Sequence, residues 1–456
     1  MRNTTYKLAP GLNSYLVLGS LLEIQRKGYL QFFYDIWQQF GDVACCQMGW
    51  KNFVLLAHPK FIQHVLVDHH QRYSKGQGYK KLELMLGKGL LTSEGELWQR
   101  QRRRMQPFFT EGKIKHQYLE AITASTEQML NQWQPYVKAK SPVEIGEQML
   151  GLTMSVVGRT LLGTTQLDED KDLGFALRFA LDYVSQKGLA VVDWPAFIPT
   201  SSNLAFKKAM GVLNRFIDKL VEQRSCGGNV QDDLLAALLS SSTARSGESI
   251  DRQQLRDELL TLFLAGSETT ASTLTWLWYL LAINPEVEQR LFSEVDDVLG
   301  GRTPTASDLS RLEYTKCVIE EVMRLYPPVW AIARDAVEDD EISGYHIPKD
   351  SMVFSSSYLV HRHPEFWVEP SKFNPDRFAS NRSVDRPRCA YIPFGSGSRT
   401  CIGLHLAVIE IQLVVATVLS RYRLQLVSPA QVEPFIKSIL WPRTGVMMRL
   451  VPRCVS

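Results

Sequence analysis

The feature that most constrains the fold is one long apolar segment, which runs from about residue 255 to residue 282. Asn284 and Pro285 end it, because proline cannot continue the helical hydrogen-bond ladder and restricts the residue before it. At 1.5 Å per residue, its roughly 28 residues span about 42 Å, which is enough to cross a whole domain. Apolar side chains lie on nearly every side of the segment, so we predict a buried central helix.

We predict a mainly α-helical single domain over residues 1–456, with small β-sheets and an N-terminal lead-in and first helix over about 1–40. A chain that is 45% hydrophobic can bury a large core. The best linker candidate, residues 225–247, still contains a helical pattern at 232–239. Periodicity predicts a β-hairpin from 43–47 and 53–57, helices at 59–68, 95–106, 117–136, 144–162 and 404–419, and β-stretches at 341–347, 352–355 and 446–451.

Polar residues interrupt the central apolar segment at one point. Glu268, Thr269 and Thr270 follow two small residues, Ala265 and Gly266. Threonines that bond to the carbonyl four residues earlier, or a glutamate in an internal ion pair, would explain such residues structurally. The small residues favour a different interpretation, since they open one helix face to a planar group and an oxygen-sized ligand. Glu268 and Thr269 are therefore candidate catalytic residues.

A second motif places Cys401 in a glycine-rich loop, residues 394–403, that leads directly into the apolar segment 404–419. Its glycines let the backbone approach a flat cofactor. The helix N-terminus is expected to stabilise a thiolate and lower the pKa of Cys401. This arrangement suits a thiolate ligand to haem iron, and Arg399 can reach a carboxylate of the same cofactor. The alternative is a buried structural cysteine.

The loop, written Phe-x-x-Gly-x-Arg-x-Cys-x-Gly, resembles the haem-binding signature of the cytochrome P450 family. Residues 265–270 resemble the oxygen-binding motif of that family. Three weaker motifs accompany them in the family's order: Trp98-x-x-x-Arg102, Glu321-x-x-Arg324, and a Phe-x-x-Asp-Arg-Phe box at 373–378 with Asp in place of the usual Glu. The resemblance implies a helix-rich triangular prism with haem b between the central helix and the cysteine-loop helix.

The resemblance also implies a role for each matching residue. Cys401 would be the axial ligand of the haem iron, while Thr269 and Glu268 would hold dioxygen and deliver protons. Phe394 would make a hydrophobic contact on the thiolate side of the haem. The partners of the haem carboxylates would be Trp98, Arg102, Arg334 and Arg399. A structural charge triad would consist of Glu321, Arg324 and Arg377.

The implied activity is that of a monooxygenase, which inserts one oxygen atom of O2 into an apolar small molecule. A fatty acid, a terpenoid and a secondary-metabolite intermediate all stay open as substrates. By family position, the substrate pocket would include Phe263, Leu264, Ala265, Val329, Trp330, Ile332, Ile439 and Leu440. The chain has no glycine-rich nucleotide motif and no iron–sulfur cysteine cluster, so two electrons would come from a separate ferredoxin or flavodoxin with its reductase.

Three alternatives to the monooxygenase are a peroxygenase, an isomerase or dehydratase of the same family, and a non-catalytic haem sensor or electron carrier. Glu268 and Thr269 argue against all three. The peroxide-using relatives typically carry Arg-Pro there, and isomerases often lose the threonine. A sensor or carrier needs no pair of an acid and an alcohol.

Composition narrows the partners and the compartment. A net charge of +3 does not indicate a nucleic-acid-binding protein. Seven scattered cysteines without C-x-x-C spacing argue against a disulfide framework or a zinc site and favour a reducing compartment. The N-terminal apolar run 15–22 is too short to span a membrane. We expect a cytoplasmic monomer, with peripheral membrane contact left open. Basic clusters at 100–104 and 382–388 are either solvated surface or a docking face for an acidic redox protein.

Overall fold

A computed structural model describes residues 7–12, 19–48, 51–165, 171–189, 195, 197–226, 233–242, 250–380, 386–428 and 432–453. The α-helices are α1 Gly19–Lys27, α2 Tyr29–Phe40, α3 Pro59–Gln63, α4 Gly76–Lys80, α5 Glu83–Leu86, α6 Gly95–Met105, α7 Glu111–Lys113, α8 Leu119–Ala139, α9 Ile145–Leu161, α10 Lys171–Leu189, α11 Ser201–Cys226, α12 Leu234–Ser242, α13 Arg252–Ile283, α14 Pro285–Leu299, α15 Glu313–Leu325, α16 Ser357–Val360 and α17 Leu404–Leu419. The strands are β1 Gly11–Leu12, β2 Val43–Met48, β3 Lys51–Leu56, β4 Tyr73–Ser74, β5 Val143–Glu144, β6 Ile332–Ala336, β7 Asp340–Ile342, β8 Tyr345–Ile347, β9 Met352–Ser355, β10 Tyr422–Leu426, β11 Pro434–Ile436, β12 Leu440–Pro442 and β13 Met447–Pro452.

Helix α13 is the central helix that the apolar segment predicts. It begins after Asp251, whose side chain accepts a hydrogen bond from the Gln254 amide at 2.7 Å, and it ends before Asn284 and Pro285. Helix α9 packs closely along it. The two helices approach tightly at Gly266, where an added Cβ atom would lie 2.7 Å from a methyl carbon of Val157. The predicted mainly helical fold is confirmed.

The largest sheet in the described ranges has six strands in the order β1-β2-β3-β9-β6-β4. Strand β9 lies parallel to β3 and antiparallel to β6, so Arg334 lies opposite Val353. The sequence predicts the β2–β3 hairpin but not its pairing with β9, because that pairing joins distant parts of the chain. The turn of the hairpin, residues 49–50, lies outside the described residues.

One local expectation was wrong in detail. The predicted helix 59–68 is α3 followed by a π-helical turn, His64–Asp68. The β-structure predicted near 341–347 is the antiparallel pair β7 and β8, which Ser343 and Gly344 join with φ values of 55° and 79°. Within the proposed linker, α12 agrees with the predicted helical pattern, and residues 227–232 and 243–249 lie outside the described part. In the described ranges, no helix has the length and apolar character needed to cross a membrane.

Candidate active site

The cysteine loop is folded by its own backbone and by a contact with a distant segment. The Cys401 amide donates to the Phe394 carbonyl at 2.9 Å, just before α17 begins. Gly397 has φ 76°, and a Cβ atom there would lie 2.1 Å from the carbonyl oxygen of Leu66. The left-handed conformation and this close approach require glycine at 397. Together these contacts fix the position of the Cys401 side chain.

The electrostatics of Cys401 differ from the expectation based on its helix. Burial raises the pKa of the Cys401 thiol, while the Gly403 amide and the positive charge of Arg102 lower it. The predicted effect of the helix N-terminus is therefore outweighed by desolvation. Although it lies deep in the protein, the Cys401 side chain is exposed, so it borders open space.

The central helix borders open space as well. Ala265 is exposed although most of α13 around it is buried, and Thr269, one turn later, is half-buried. Because α13 packs against α17 and Ala265 and Cys401 are both exposed, we infer an internal gap between the central helix and the cysteine loop. The Thr269 hydroxyl donates to the Ala265 carbonyl at 2.8 Å, so the expected back-bonding does occur. Its oxygen can still accept a hydrogen bond from a group in the gap.

Glu268 faces a different group of residues. It is buried, and its Oε2 atom accepts a hydrogen bond from Ser438 at 3.4 Å. Burial and the negative charge of Asp182 raise the pKa of Glu268 to about 7, against the opposing effects of Trp441, Arg178 and Ser438. Among the described residues Glu268 forms no direct ion pair, so that structural explanation does not hold. A carboxyl group with this pKa can both hold and release a proton near neutral pH.

Cations cluster around Arg399 of the cysteine loop. The guanidinium of Arg399 lies 3.7 Å from the ring centre of Trp98 and donates to the Ser93 carbonyl at 3.0 Å. Burial, together with the positive charge of nearby Arg334, lowers the pKa of Arg399 to about 10. Arg102 donates to the Thr400 carbonyl at 2.7 Å, next to the cysteine, and its role toward the haem carboxylates stays a prediction.

Lys75 belongs to the same cluster and was not predicted from the sequence. Burial and the charges of Arg399 and Arg334 lower its pKa to about 7. Its ammonium group donates to the backbone carbonyls of Leu90 and Leu91. No spacing pattern in the sequence points to Lys75, because it reaches the two arginines only through the tertiary fold.

The predicted charge triad is assembled beneath the loop. Glu321 accepts hydrogen bonds from Arg324 at 2.7 and 2.8 Å and from Arg377 at 3.3 Å. Arg324 is fully buried, and its remaining donors reach the carbonyls of His361 and Pro370. The triad thus ties α15 to the segment that precedes the cysteine loop.

The structure divides the predicted pocket residues into two groups. Ala265 and Val329 are exposed, Val329 by 41%, and Ile439 is half-buried. The other five are held by the core, and Ile332 is buried in the cluster that includes Val54 and Val353. Leu264 is buried in α13, Phe263 packs 6.1 Å from Phe216, Trp330 packs 5.7 Å from Phe33, and buried Leu440 accepts a hydrogen bond from Ser272 through its carbonyl.

These observations together fit a haem. The thiol of Cys401 is a soft donor at the edge of a gap, and Ala265 leaves the opposite side free of bulky groups. Buried Lys75 and Arg334 and half-buried Arg399 repel one another, so a ligand that carries carboxylates would relieve the repulsion. The residues present therefore suit a flat iron cofactor with acidic side chains.

Comparison with known proteins gives the family. The family model described as Cytochrome P450 matches residues 9–450. Cyclooctat-9-en-7-ol 5-monooxygenase of Streptomyces melanosporofaciens is 35% identical over 428 residues, which cover 93% of this chain and 90% of the relative. Cyclooctatin synthase of the same organism is 33% identical over 453 residues, covering 99% and 96%. The crystal structure of the cytochrome P450DA heme domain is similar in fold, with a TM-score of 0.89, 22% identity and coverage of 99% of this chain and 98% of that one.

Proposed function

The chain belongs to the cytochrome P450 family and is a P450 monooxygenase, and from this premise we propose that it hydroxylates a terpenoid with haem b bound through Cys401. The observation that carries the proposal is that Cys401 and Ala265 are exposed, the one just before α17 and the other on α13, two helices that pack against each other. The names of the two Streptomyces relatives favour a terpenoid over the other two substrate classes. The apolar residues predicted around the gap agree with such a substrate.

The haem supplies the activation of dioxygen when it is bound, and the protein supplies its ligand and surroundings. Cys401 would donate its thiolate sulfur to the iron, and Phe394 would pack beside it. Lys75, Arg334 and Arg399 would neutralise the haem carboxylates, with Trp98 beneath the guanidinium of Arg399. Arg102, which donates to the carbonyl of Thr400, would be a further partner of the haem carboxylates.

Two side chains on α13 would handle protons. Glu268 would exchange a proton near neutral pH, since its pKa is about 7. The Thr269 hydroxyl lies one residue further along the helix and donates to the Ala265 carbonyl. Its oxygen would accept a hydrogen bond at the open face, and proton transfer would run from the Glu268 carboxyl group to the hydroxyl of Thr269.

A redox partner must supply the electrons, and we propose a ferredoxin or flavodoxin. Exposed basic side chains on α6 and before the cysteine loop, Arg100, Arg103 and Arg388, favour an acidic partner on the Cys401 side. We also propose a cytoplasmic monomer. The free thiols of Cys45, Cys46, Cys317, Cys389 and Cys401 agree with a reducing compartment.

The haem assignment is tested by the carbon monoxide difference spectrum of the reduced protein. The wild type should give the long-wavelength Soret band of thiolate ligation, and Cys401→Ser should lose it. Cys389→Ser is the matched control, because the buried Cys389 thiol donates a hydrogen bond to the Ser396 hydroxyl at 3.4 Å. This substitution should leave the band unchanged. A wild-type protein without the band would overturn the assignment.

The substrate class is tested by spin-state titration and product analysis. Polycyclic terpenoid alcohols, terpene hydrocarbons and fatty acids are each added to the haem-loaded protein with a ferredoxin and its reductase. A high-spin shift and a hydroxylated product with the terpenoids alone are expected. Turnover of the fatty acids alone would replace the proposed substrate class and leave the family assignment intact.

A further inference from the structure

The segment of residues 87–93, which joins α5 to α6, is anchored to the central helix by two consecutive carboxylates. The Lys88 amide donates to Asp257 Oδ2 at 2.8 Å, and the Leu90 amide donates to Glu258 Oε2 at 2.9 Å. Both acids are buried, and they lie about three turns before Thr269 on α13. Backbone amides of a loop are thus held by side chains of the helix that also carries the proposed catalytic pair.

Glycines allow the segment to lie directly on α13. Gly87 has φ 50°, and a Cβ atom there would lie 1.9 Å from Asp257 Oδ2. A Cβ atom on Gly89 would lie 2.1 Å from the hydroxyl oxygen of Thr261. Such distances leave no room for a side chain, so the spacing between the segment and the helix is fixed by backbone contact.

The same segment holds two cations of the cluster through its carbonyl groups. Lys75 donates to the carbonyls of Leu90, at 3.4 Å, and Leu91, and Arg399 donates to the carbonyl of Ser93 at 3.0 Å. Amides of residues 87–93 therefore face the acids of α13, while carbonyls face Lys75 and Arg399. The segment connects the central helix to the cation cluster.

Glu258 is the unusual member of this arrangement. Its side chain is fully buried, and its Oε1 atom has no hydrogen-bond partner among the described residues. Burial raises the pKa of Glu258 to about 8; the charge of Asp257 adds to the rise, and the Leu90 amide and the side chains of Gln101 and Gln254 oppose it. Asp257 is itself paired with Arg256 at 2.7 Å. A neutral carboxylic acid suits this position, since ionisation would bury a second negative charge beside Asp257.

We propose that Asp257 and Glu258 are positioning residues for the haem-carboxylate site, because they anchor residues 87–93, whose carbonyls set the positions of Lys75 and Arg399. This rests on the proposed function, in which those cations neutralise the haem carboxylates. The neutral acid of Glu258 accepts the Leu90 hydrogen bond without a charge. At alkaline pH Glu258 ionises, and because a buried charge beside Asp257 is costly, the segment opens more often. The interaction of Lys75 and Arg399 with the haem carboxylates weakens as a result.

Hydrogen exchange of the full-length chain as purified tests the anchor. We compare the exchange rate of peptides over 87–93 at about pH 7 and about pH 9, after correction for the intrinsic effect of pH. Between these values Glu258, with a pKa of about 8, goes from about one tenth to about nine tenths ionised. Protection in the wild type should fall severalfold at the higher pH. Glu258→Gln keeps an acceptor without titrating, so its protection should fall much less; the change that remains is due to Lys75, which has a pKa of about 7 and donates to the same segment in both proteins.

Two more variants complete the design. Glu258→Leu removes the acceptor and should lower protection at both pH values; if it fails to fold, Glu258→Gln carries the test alone. Glu288→Gln is the matched control, because Glu288 is another buried acid. It lies on α14 and pairs with Arg423 at 2.7 Å. The Glu288→Gln variant should retain the wild-type pH dependence. Equal pH dependence in the wild type and Glu258→Gln would overturn the anchor.

Haem transfer to apomyoglobin tests the link to the cation cluster. The wild type should lose haem faster at about pH 9 than at about pH 7, by a severalfold larger factor than Glu258→Gln, because Lys75, with a pKa of about 7, loses its charge in both proteins. Equal factors in the two proteins would overturn the positioning role. A pH-dependent exchange without a change in haem transfer would overturn the positioning role. The carbon monoxide spectrum reports separately on thiolate ligation, so failure of the proposed function and failure of this inference give different results.

Discussion

The imidazole of His361 accepts a hydrogen bond from the backbone amide of Ile392 through Nε2, at 2.8 Å. Its other nitrogen, Nδ1, lies 3.2 Å from the carbonyl oxygen of Arg324 and can donate to it. The ring is fully buried, and both hydrogen bonds are satisfied only by the neutral form. His361 therefore connects the charge triad on α15 to the segment that enters the cysteine loop.

This arrangement predicts sensitivity to acid. Burial, together with the charges of Arg324 and Arg362, lowers the pKa of His361 well below its usual value. The unfolded chain binds a proton near pH 6.5 that the native state does not, so stability is retained above that pH and falls as the pH drops below it. Urea unfolding should show a smaller acid loss in His361→Gln than in the wild type. His116→Gln, at an exposed position, should behave as the wild type does, and equal losses in all three proteins would contradict the prediction.

The triad itself predicts a large loss of stability when its acid is neutralised. Glu321→Gln leaves Arg324 fully buried without its counter-charge, and we expect a loss of about 3 to 5 kcal/mol in the free energy of unfolding. The control is Glu369→Gln, whose i,i+3 partner Lys372 lies 3.6 Å away on the surface; about 0 to 1 kcal/mol is expected there. Similar losses in both variants would show that burial of the pair has no special effect.

The parts of the site that the sequence predicts depend on residues close together in the chain, and the parts that it does not predict depend on tertiary contacts. Helix α17 begins and ends at the predicted residues, because an apolar run directly follows Gly403. The pairing of β3 with β9, the contact of Lys75 with the 87–93 segment and the hydrogen bonds of His361 depend on residues far apart in the chain. Periodicity carries no information about such contacts. The packing of Trp330 against Phe33 and Phe354 could not be predicted for the same reason.

Asp182 is predicted to tune the acid of the proposed catalytic pair. Its negative charge raises the pKa of Glu268, so Asp182→Asn should lower that pKa below about 7. Ser438→Ala should raise it, since the hydroxyl group stabilises the ionised carboxylate. Infrared titration of the protonated carboxyl band, assigned with Glu268→Gln, measures both shifts. Shifts in the same direction would contradict the assigned roles.

Thr269 is predicted to control coupling between electron use and product. Thr269→Ala removes the hydroxyl group beside the gap and should raise the electrons consumed per product formed severalfold. Thr269→Ser keeps the hydroxyl and should retain most of the coupling. Thr273→Ala is the control, because its hydroxyl also bonds back along α13, to the Thr269 carbonyl, at 3.1 Å. Unchanged coupling in Thr269→Ala would remove the residue from the proton path.

Gly397 gives a test of the cysteine loop that separates backbone strain from steric contact. Gly397 and Gly344 have nearly the same φ, 76° and 79°, so alanine at either position should cost about 1 to 2 kcal/mol in backbone strain. Around Gly344 no heavy atom lies within 4 Å of the added Cβ, whereas at Gly397 it would lie 2.1 Å from the Leu66 carbonyl oxygen. Gly344→Ala should therefore lower the thermal midpoint slightly and keep the thiolate spectrum. Gly397→Ala must displace the loop from Leu66 and should lower the fraction of protein with thiolate ligation as well. A normal spectrum in Gly397→Ala would show that the contact with Leu66 does not position Cys401.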